Sequence, residues 1–453
     1  NHYYFNRHYI NIGYNKMKKF YDRKNELKIL EQIEKNSYSN AAFTIITGRR
    51  RIGKTALLKK FISTKKCCYL FTTRSSEPIL CQQWQKELEQ SIDLKIFGSI
   101  TTLKELFEQI IEYSKQEHFI LIIDEFQELQ NINSSFFSHL QNIWDNCKDN
   151  SKINFIACGS VYSMMIKIFE GAKEPLFGRA TAKIHLKPFT PSVCKEILKD
   201  FNPQYTNEDL LCLYMLSGGV AKYIFLLMES GSITHTKMIN YVTGISSPFL
   251  IDGKDLLISE IGKDYGIYFS ILSLISSGMT VQSEIDSIIQ KNTGSYLSNL
   301  NKTFNVIKPV RPIFSKPESR NVRWQITDSY LRFYFRFIYS NQNLIELGQY
   351  DLLKKLILRD YKTFTGKTLE QYFTEKINEE MHLTSIGGWW DKKSQNEIDI
   401  VAVNELDKTC HIFEVKRNAK KIDYKALEEK INALRSNVPG FEINMKGLSM
   451  DDM

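Results

Sequence analysis

The stretch Gly48-Arg49-Arg50-Arg51-Ile52-Gly53-Lys54-Thr55 restricts the fold of this chain more than any other. An apolar β-type run, residues 42–48, leads into it, and a helical pattern, residues 56–62, follows. Glycines at that spacing let the backbone wrap closely enough for its N–H groups to face an anion, and the helix N-terminus adds partial positive charge. With Lys and a hydroxyl at the end, the anion this loop suits is the triphosphate of ATP. Gly48, Arg49, Arg50, Arg51, Ile52, Gly53, Lys54, Thr55 and Ala56 would form the cradle. Lys54 would reach the β- and γ-phosphates, and the Thr55 hydroxyl would ligate Mg²⁺.

A second stretch makes the same demand. Phe119-Ile120-Leu121-Ile122-Ile123-Asp124-Glu125 is an apolar strand ending in two acids. Phosphoryl transfer to water uses one carboxylate on the metal and another to orient and deprotonate the water. We assign Asp124 to the metal and Glu125 to the water. Further β-type runs at 67–73, 152–160 and 180–189 alternate with longer amphipathic stretches, the pattern of a parallel sheet covered by helices. Residues 190–245 then read as helices only, interrupted at Gly218-Gly219, and suit a small helical lid.

The chain has 453 residues, enough for two to four domains. No apolar run approaches the roughly 18 to 20 residues that cross a bilayer. Eight cysteines without CxxC pairing fit buried thiols in a reducing compartment, which makes the cytoplasm the expected location. Residues 1–16 read as a leader ahead of Met17. The net charge of +9 is concentrated: residues 1–60 carry fourteen Lys/Arg against four Asp/Glu, and residues 302–336 eight against two, whereas residues 361–453 carry fourteen against sixteen. A polyanion should meet the front or the middle first.

Between 265 and 340 three short helical patterns (268–275, 281–289 and 295–304) precede a Pro- and Arg-rich passage with Arg311, Lys316, Arg320 and Arg323. Such a cluster suits phosphate contacts with DNA, with a solvated surface as the alternative. Residues 330–337 alternate aromatics with Arg332 and Arg336, reading as a helix that buries its rings and exposes both arginines. A helical connector, 344–359, leads to a last α/β unit. There Glu370 falls on a helical pattern (366–378), Asp399 on a β run, and Glu414 and Lys416 share one face of the next.

Together these features resemble the archaeal-type AAA+/STAND ATPases, in which an ATPase core is followed by a winged helix and a nuclease-like domain. The resemblance implies an α/β fold: a P-loop NTPase parallel sheet of AAA+ type (17–189) with a helical lid (190–250), a winged helix domain (251–345) and a small restriction-endonuclease-like C-terminal domain (346–453). It implies that Ser160, after the fourth strand, senses the γ-phosphate or the attacking water. It also implies that Arg179, in Pro175-Leu176-Phe177-Gly178-Arg179, is an arginine finger, acting in the site of a neighbouring copy of a homo-oligomer. Gly218-Gly219-Val220-Ala221-Lys222-Tyr223 resembles the GGxPxY lid motif, departing from it at Ala221, where proline is usual. The C-terminal layout is similar to the PD-(D/E)XK nucleases. That similarity implies Mg²⁺ on Asp399 and Glu414, Glu370 completing or supporting the metal site, Lys416 on water or phosphate, and DNA as partner. A domain of this kind that binds without cutting remains the alternative.

Overall fold

The computed structural model describes residues 19–316, 318–319, 321–391 and 395–453. The leader assigned to 1–16, Met17 and the wing residue Arg320 lie outside them. The chain divides after Lys187 into two compact units.

The first unit is built on five parallel strands: β1 (Ala42–Thr47), β2 (Cys67–Phe71), β3 (Phe119–Asp124), β4 (Ile153–Cys158) and β5 (Ala182–His185), in the order β2-β3-β4-β1-β5. Both faces are covered, so the central strands are apolar throughout rather than alternating. Leu121 and Ile123 point into a core with Phe43, Phe107, Phe126, Phe155 and Trp84. Ile120 and Ile122 point the other way, onto Leu57, Leu58 and Phe61 of the helix Lys54–Ile62. Burying each such side chain contributes about 1.5–3 kcal/mol. The strand order matters for function, because β4 lies between β1 and β3 and brings the ends of all three together.

In the second unit four helices come first: Pro191–Phe201, Asn207–Ser217, Ala221–Glu229 and His235–Val242. Gly218 and Gly219 break the run with positive φ, 53° and 78°. A Cβ on Gly219 would lie 2.0 Å from the Phe189 carbonyl oxygen. Gly219→Ala is therefore expected to destabilise this unit by about 2–4 kcal/mol through strain and collision, which a calorimetric melt would register.

The helices Gly266–Ser276, Gln282–Ile289 and Gly294–Ser298, the last prolonged by a π turn at Asn299–Thr303, precede an antiparallel hairpin of β6 (Ile307–Val310) and β7 (Arg323–Ile326). The expected connector, 344–359, is interrupted at 347–349 after the short helix Gln342–Glu346, and its remainder and the helix carrying Glu370 are one 31-residue helix, Tyr350–Glu380, which runs straight through Gly366. A four-stranded mixed sheet follows: β8 (Ser385–Trp390), β9 (Glu397–Asn404), β10 (Thr409–Val415) and β11 (Glu442–Leu448), in the order β11-β10-β9-β8. β10 and β11 are parallel, joined across the helix Tyr424–Leu434, which supplies Leu427, Ile431 and Leu434 to the core.

Two expectations are corrected here. Arg332 is not on an exposed face: it is buried, donates to Thr368 Oγ1 at 2.6 Å and lies over the Phe364 ring, and burial lowers its pKa to about 10. Only Arg336 reaches outward, paired with Asp360 at 3.0 Å. The segment joining β6 to β7 is not a free basic wing either. Ile313 and Phe314 pack against the C-terminal core, and Ile313 N–H donates to the Gly388 carbonyl at 3.0 Å. Arg323 pairs with Glu397 at 2.8 Å and lies over Trp390, whose indole N–H donates to Asn321. Arg323 is thus committed within the protein, and Arg311 donates to the Ser319 carbonyl at 3.2 Å.

Candidate active site

The phosphate loop starts where β1 ends. Gly48 has φ 150°, and a Cβ there would sit 2.9 Å from the Leu186 carbonyl oxygen, so the turn has room only for glycine. Gly53 caps the helix Lys54–Ile62, leaving its first backbone N–H groups directed into the loop. Lys54 is 7% exposed and curls beneath the loop, donating to the Gly48 carbonyl at 2.7 Å and the Arg49 carbonyl at 3.0 Å. Burial lowers its pKa, opposed by the negative charges of Glu125 and Asp124. The loop is also held from outside: buried Arg23 donates to the Lys187 carbonyl at 2.7 Å and the Ile52 carbonyl at 3.5 Å.

Asp124, at the tip of β3, is 7% exposed, and burial raises its pKa. Its Oδ2 accepts from the Tyr69 hydroxyl, and its Oδ1 from the Glu125 N–H at 2.9 Å. Glu125 occupies the left-handed region, φ 53°, which turns its carboxylate off the strand toward β4. Ser160 Oγ lies 2.7 and 2.8 Å from the two Glu125 oxygens, accepts from Arg50 Nε at 3.2 Å, and thereby uses both its donor and an acceptor site. Gln127 Nε2 donates to Glu125 Oε2 at 2.5 Å. A continuous line of bonds therefore runs from the loop (Arg50) through Ser160 to Glu125.

A hydroxyl and one carboxylate are the protein ligands a magnesium ion takes when phosphates and waters fill the rest of its octahedron, so Thr55 and Asp124 fit it. Bound there, the ion would neutralise charge on the β- and γ-phosphate oxygens. Among the described residues no three His, Cys, Asp or Glu side chains converge on a metal position.

Arg179 precedes β5. Because the strands are parallel and His185 pairs with Thr47, it lies at the end of the sheet away from the phosphate loop, held by Asp145 at 2.9 Å. It does not enter the nucleotide site of its own chain.

In the C-terminal sheet Asp399, Glu414 and Lys416 do come together. Lys416 Nζ is 2.7 Å from Glu414 and 3.4 Å from Asp399, and Asp399 also accepts the Val415 N–H at 2.8 Å. Lys430, from the helix Tyr424–Leu434, contacts both Glu414 oxygens at 3.1 and 3.3 Å. Glu370 pairs with Lys367 at 2.8 Å, and burial raises its pKa as it does that of Asp399. Glu414 is thus matched by two ammonium groups, and a metal on Asp399 and Glu414 would have to displace at least one of them.

The sequence reading missed Arg23, Tyr69, Gln127, Lys367 and Lys430. Tyr69 and Gln127 carry no local motif. Their signal lies in strand pairing, since Phe71 sits beside Asp124 and Tyr69 is the next residue of β2 on the same face.

A phosphate loop after β1, paired acids after β3 and a polar residue after an inserted β4 define a P-loop ATPase of the AAA+ type. A profile for an ATPase domain found predominantly in Archaea matches residues 20–227, and one for archaeal and bacterial proteins of unknown function matches residues 334–428. An uncharacterized protein of Methanocaldococcus jannaschii is 30% identical over 419 residues, covering 89% of this chain and 90% of that one. The chain belongs to the same family as that protein, with the archaeal-type ATPase domain over residues 20–227. Among solved structures, the Walker-type ATPase of Pyrococcus abyssi superposes with TM-score 0.52 at 18% identity, covering 70% of this chain and 96% of that one. The ORC2 protein of Aeropyrum pernix, solved with ADPNP and ADP, gives 0.50 at 14% identity, covering 74% and 97%. Among the described residues no helix is long and apolar enough to cross a membrane.

Proposed function

We propose that the protein is a Mg²⁺-dependent, ATP-hydrolysing switch whose nucleotide state governs a C-terminal nuclease-like module acting on DNA. The observation that supports the ATPase part most directly is the strand order β3-β4-β1, which brings the helix start at Lys54 and Thr55 to the same sheet edge as Asp124 and Glu125. In this reading Lys54 and the loop amides hold the β- and γ-phosphates. Glu125, aimed by Ser160 and Gln127, takes the proton from water, and Ser160 reports the γ-phosphate to Arg50. The nucleotide complexes of the Aeropyrum protein support ATP as ligand. Arg179 serves a second copy's site in a homo-oligomer, since it lies at the far end of its own sheet. Residues 190–250 act as the lid, 251–345 as a winged helix docked on the C-terminal module, and free thiols at all eight cysteines suit a cytoplasmic setting.

The DNA part rests on Asp399, Glu414 and Lys416 sharing one site in a mixed sheet beside the helix that carries Glu370. The second reading, a signalling switch whose module recognises DNA without cutting it, is favoured by Lys430 and Lys416 saturating Glu414. Plasmid and linear DNA incubated with protein, ATP and Mg²⁺ or Mn²⁺ separate the two. Cleavage that disappears in Asp399→Ala and Lys54→Ala is the expected result of the first. ATP turnover and ATP-dependent assembly with intact DNA in every condition would replace it with the second.

A further inference from the structure

We infer that Tyr69 is a positioning residue for the metal side of the nucleotide site, setting the orientation of the Asp124 carboxylate. The inference rests on the Mg²⁺-ATP reading above and deepens it by one residue.

Hydrogen-bond accounting carries the argument. A phenol has one proton and accepting lone pairs. Asp124, as carboxylate, only accepts, so the Tyr69 proton goes to Asp124 Oδ2.

The carboxylate is fixed by the same contact. Its two oxygens are each held by one donor, Tyr69 on Oδ2 and the Glu125 N–H on Oδ1, which sets its plane and leaves lone pairs on both. Removing the phenol oxygen leaves Oδ2 without its donor at a site buried enough to raise the carboxyl pKa. The phenol itself is half-buried on β2, and burial together with Asp124 holds its own pKa well above the usual range, so the proton stays on it. Parallel pairing of β2 with β3 fixes the distance: Phe71 stands beside Asp124, and Tyr69 is two residues back on the same face.

The test is Mg²⁺ dependence of nucleotide binding, read with a fluorescent ATP analogue titrated with Mg²⁺ and, separately, in EDTA. For Tyr69→Phe the Mg²⁺ concentration at half-effect should rise about tenfold, the scale of losing one bond to a charged group, while binding in EDTA stays within about twofold of wild type. Tyr113→Phe, which loses a phenol bonded to the Ile92 carbonyl, serves as control and should leave the curve in place. An unchanged Mg²⁺ curve in Tyr69→Phe overturns the inference, as does an equal loss in EDTA, which would mark a general packing role. A wild-type chain that binds no nucleotide in either medium overturns the ATP reading itself, so the two failures are told apart.

Discussion

Lys54→Ala is expected to lower ATP turnover about a hundred- to a thousandfold, the scale of removing one preorganised charge from a developing transition state. The side chain belongs to the loop's interior: its ammonium sits on the Gly48 and Arg49 carbonyls and is drawn electrostatically toward Glu125 and Asp124. Burial lowers its pKa, so folding carries a desolvation cost at this position that alanine removes. The nucleotide-free variant should therefore melt within a few degrees of wild type while losing the rise in melting temperature that ATP gives the parent. Lys54→Arg should not restore turnover, because a planar guanidinium cannot occupy the ammonium's place beneath the loop. Phosphate release and thermal shift with ATP measure both parts. Turnover within twofold of wild type would sink the assignment of the nucleotide site.

What the sequence made legible was local, and what it hid was pairing. The apolar runs that became β1 to β5 are buried on both faces, so their composition announces them without knowledge of neighbours. Lys54, Thr55, Asp124 and Glu125 are each fixed by residues adjacent in the chain. Tyr69 and the bond from Ser160 to Glu125 depend on which strands lie side by side, and the placing of β4 between β1 and β3 is written in no single segment. The same holds farther on. Gly366 looked like a helix boundary, but glycine costs a helix only about 1 kcal/mol, and a helix packed along much of its length absorbs that. Arg332 looked like a solvent-facing charge because alternation along one helix cannot show that a second helix brings Thr368 and Phe364 over it. The basic hairpin looked free because its arginines are near one another in sequence, whereas Glu397 and Trp390, which take up Arg323, come from strands more than sixty residues later.

Glu125→Gln should separate binding from hydrolysis. The substitution keeps the side chain's shape but removes the group that takes a proton from water, so turnover should fall about a hundred- to ten-thousandfold. ATP affinity should hold, because Glu125 is placed against Ser160 and Gln127 rather than in the phosphate loop. The amide does introduce one conflict. A glutamine oxygen in the Oε2 position, with two lone pairs, can still accept from both Gln127 Nε2 and Ser160, but the second Ser160 contact, on the Oε1 side, then faces an NH₂. Ser160 can reverse, since its hydroxyl rotates to accept from the new NH₂, provided Arg50 shares the same oxygen at 3.2 Å. The variant should therefore fold normally and accumulate in the ATP-bound state, seen as retained radiolabelled ATP on a filter and as any ATP-dependent assembly that persists. Ser160→Ala, which leaves the carboxylate present but unaimed, should give a smaller loss, about tenfold. If Glu125→Gln turns over ATP within about threefold of wild type, the carboxylate beside Ser160 is not the base, and the bond line from Arg50 to Glu125 has no part in hydrolysis.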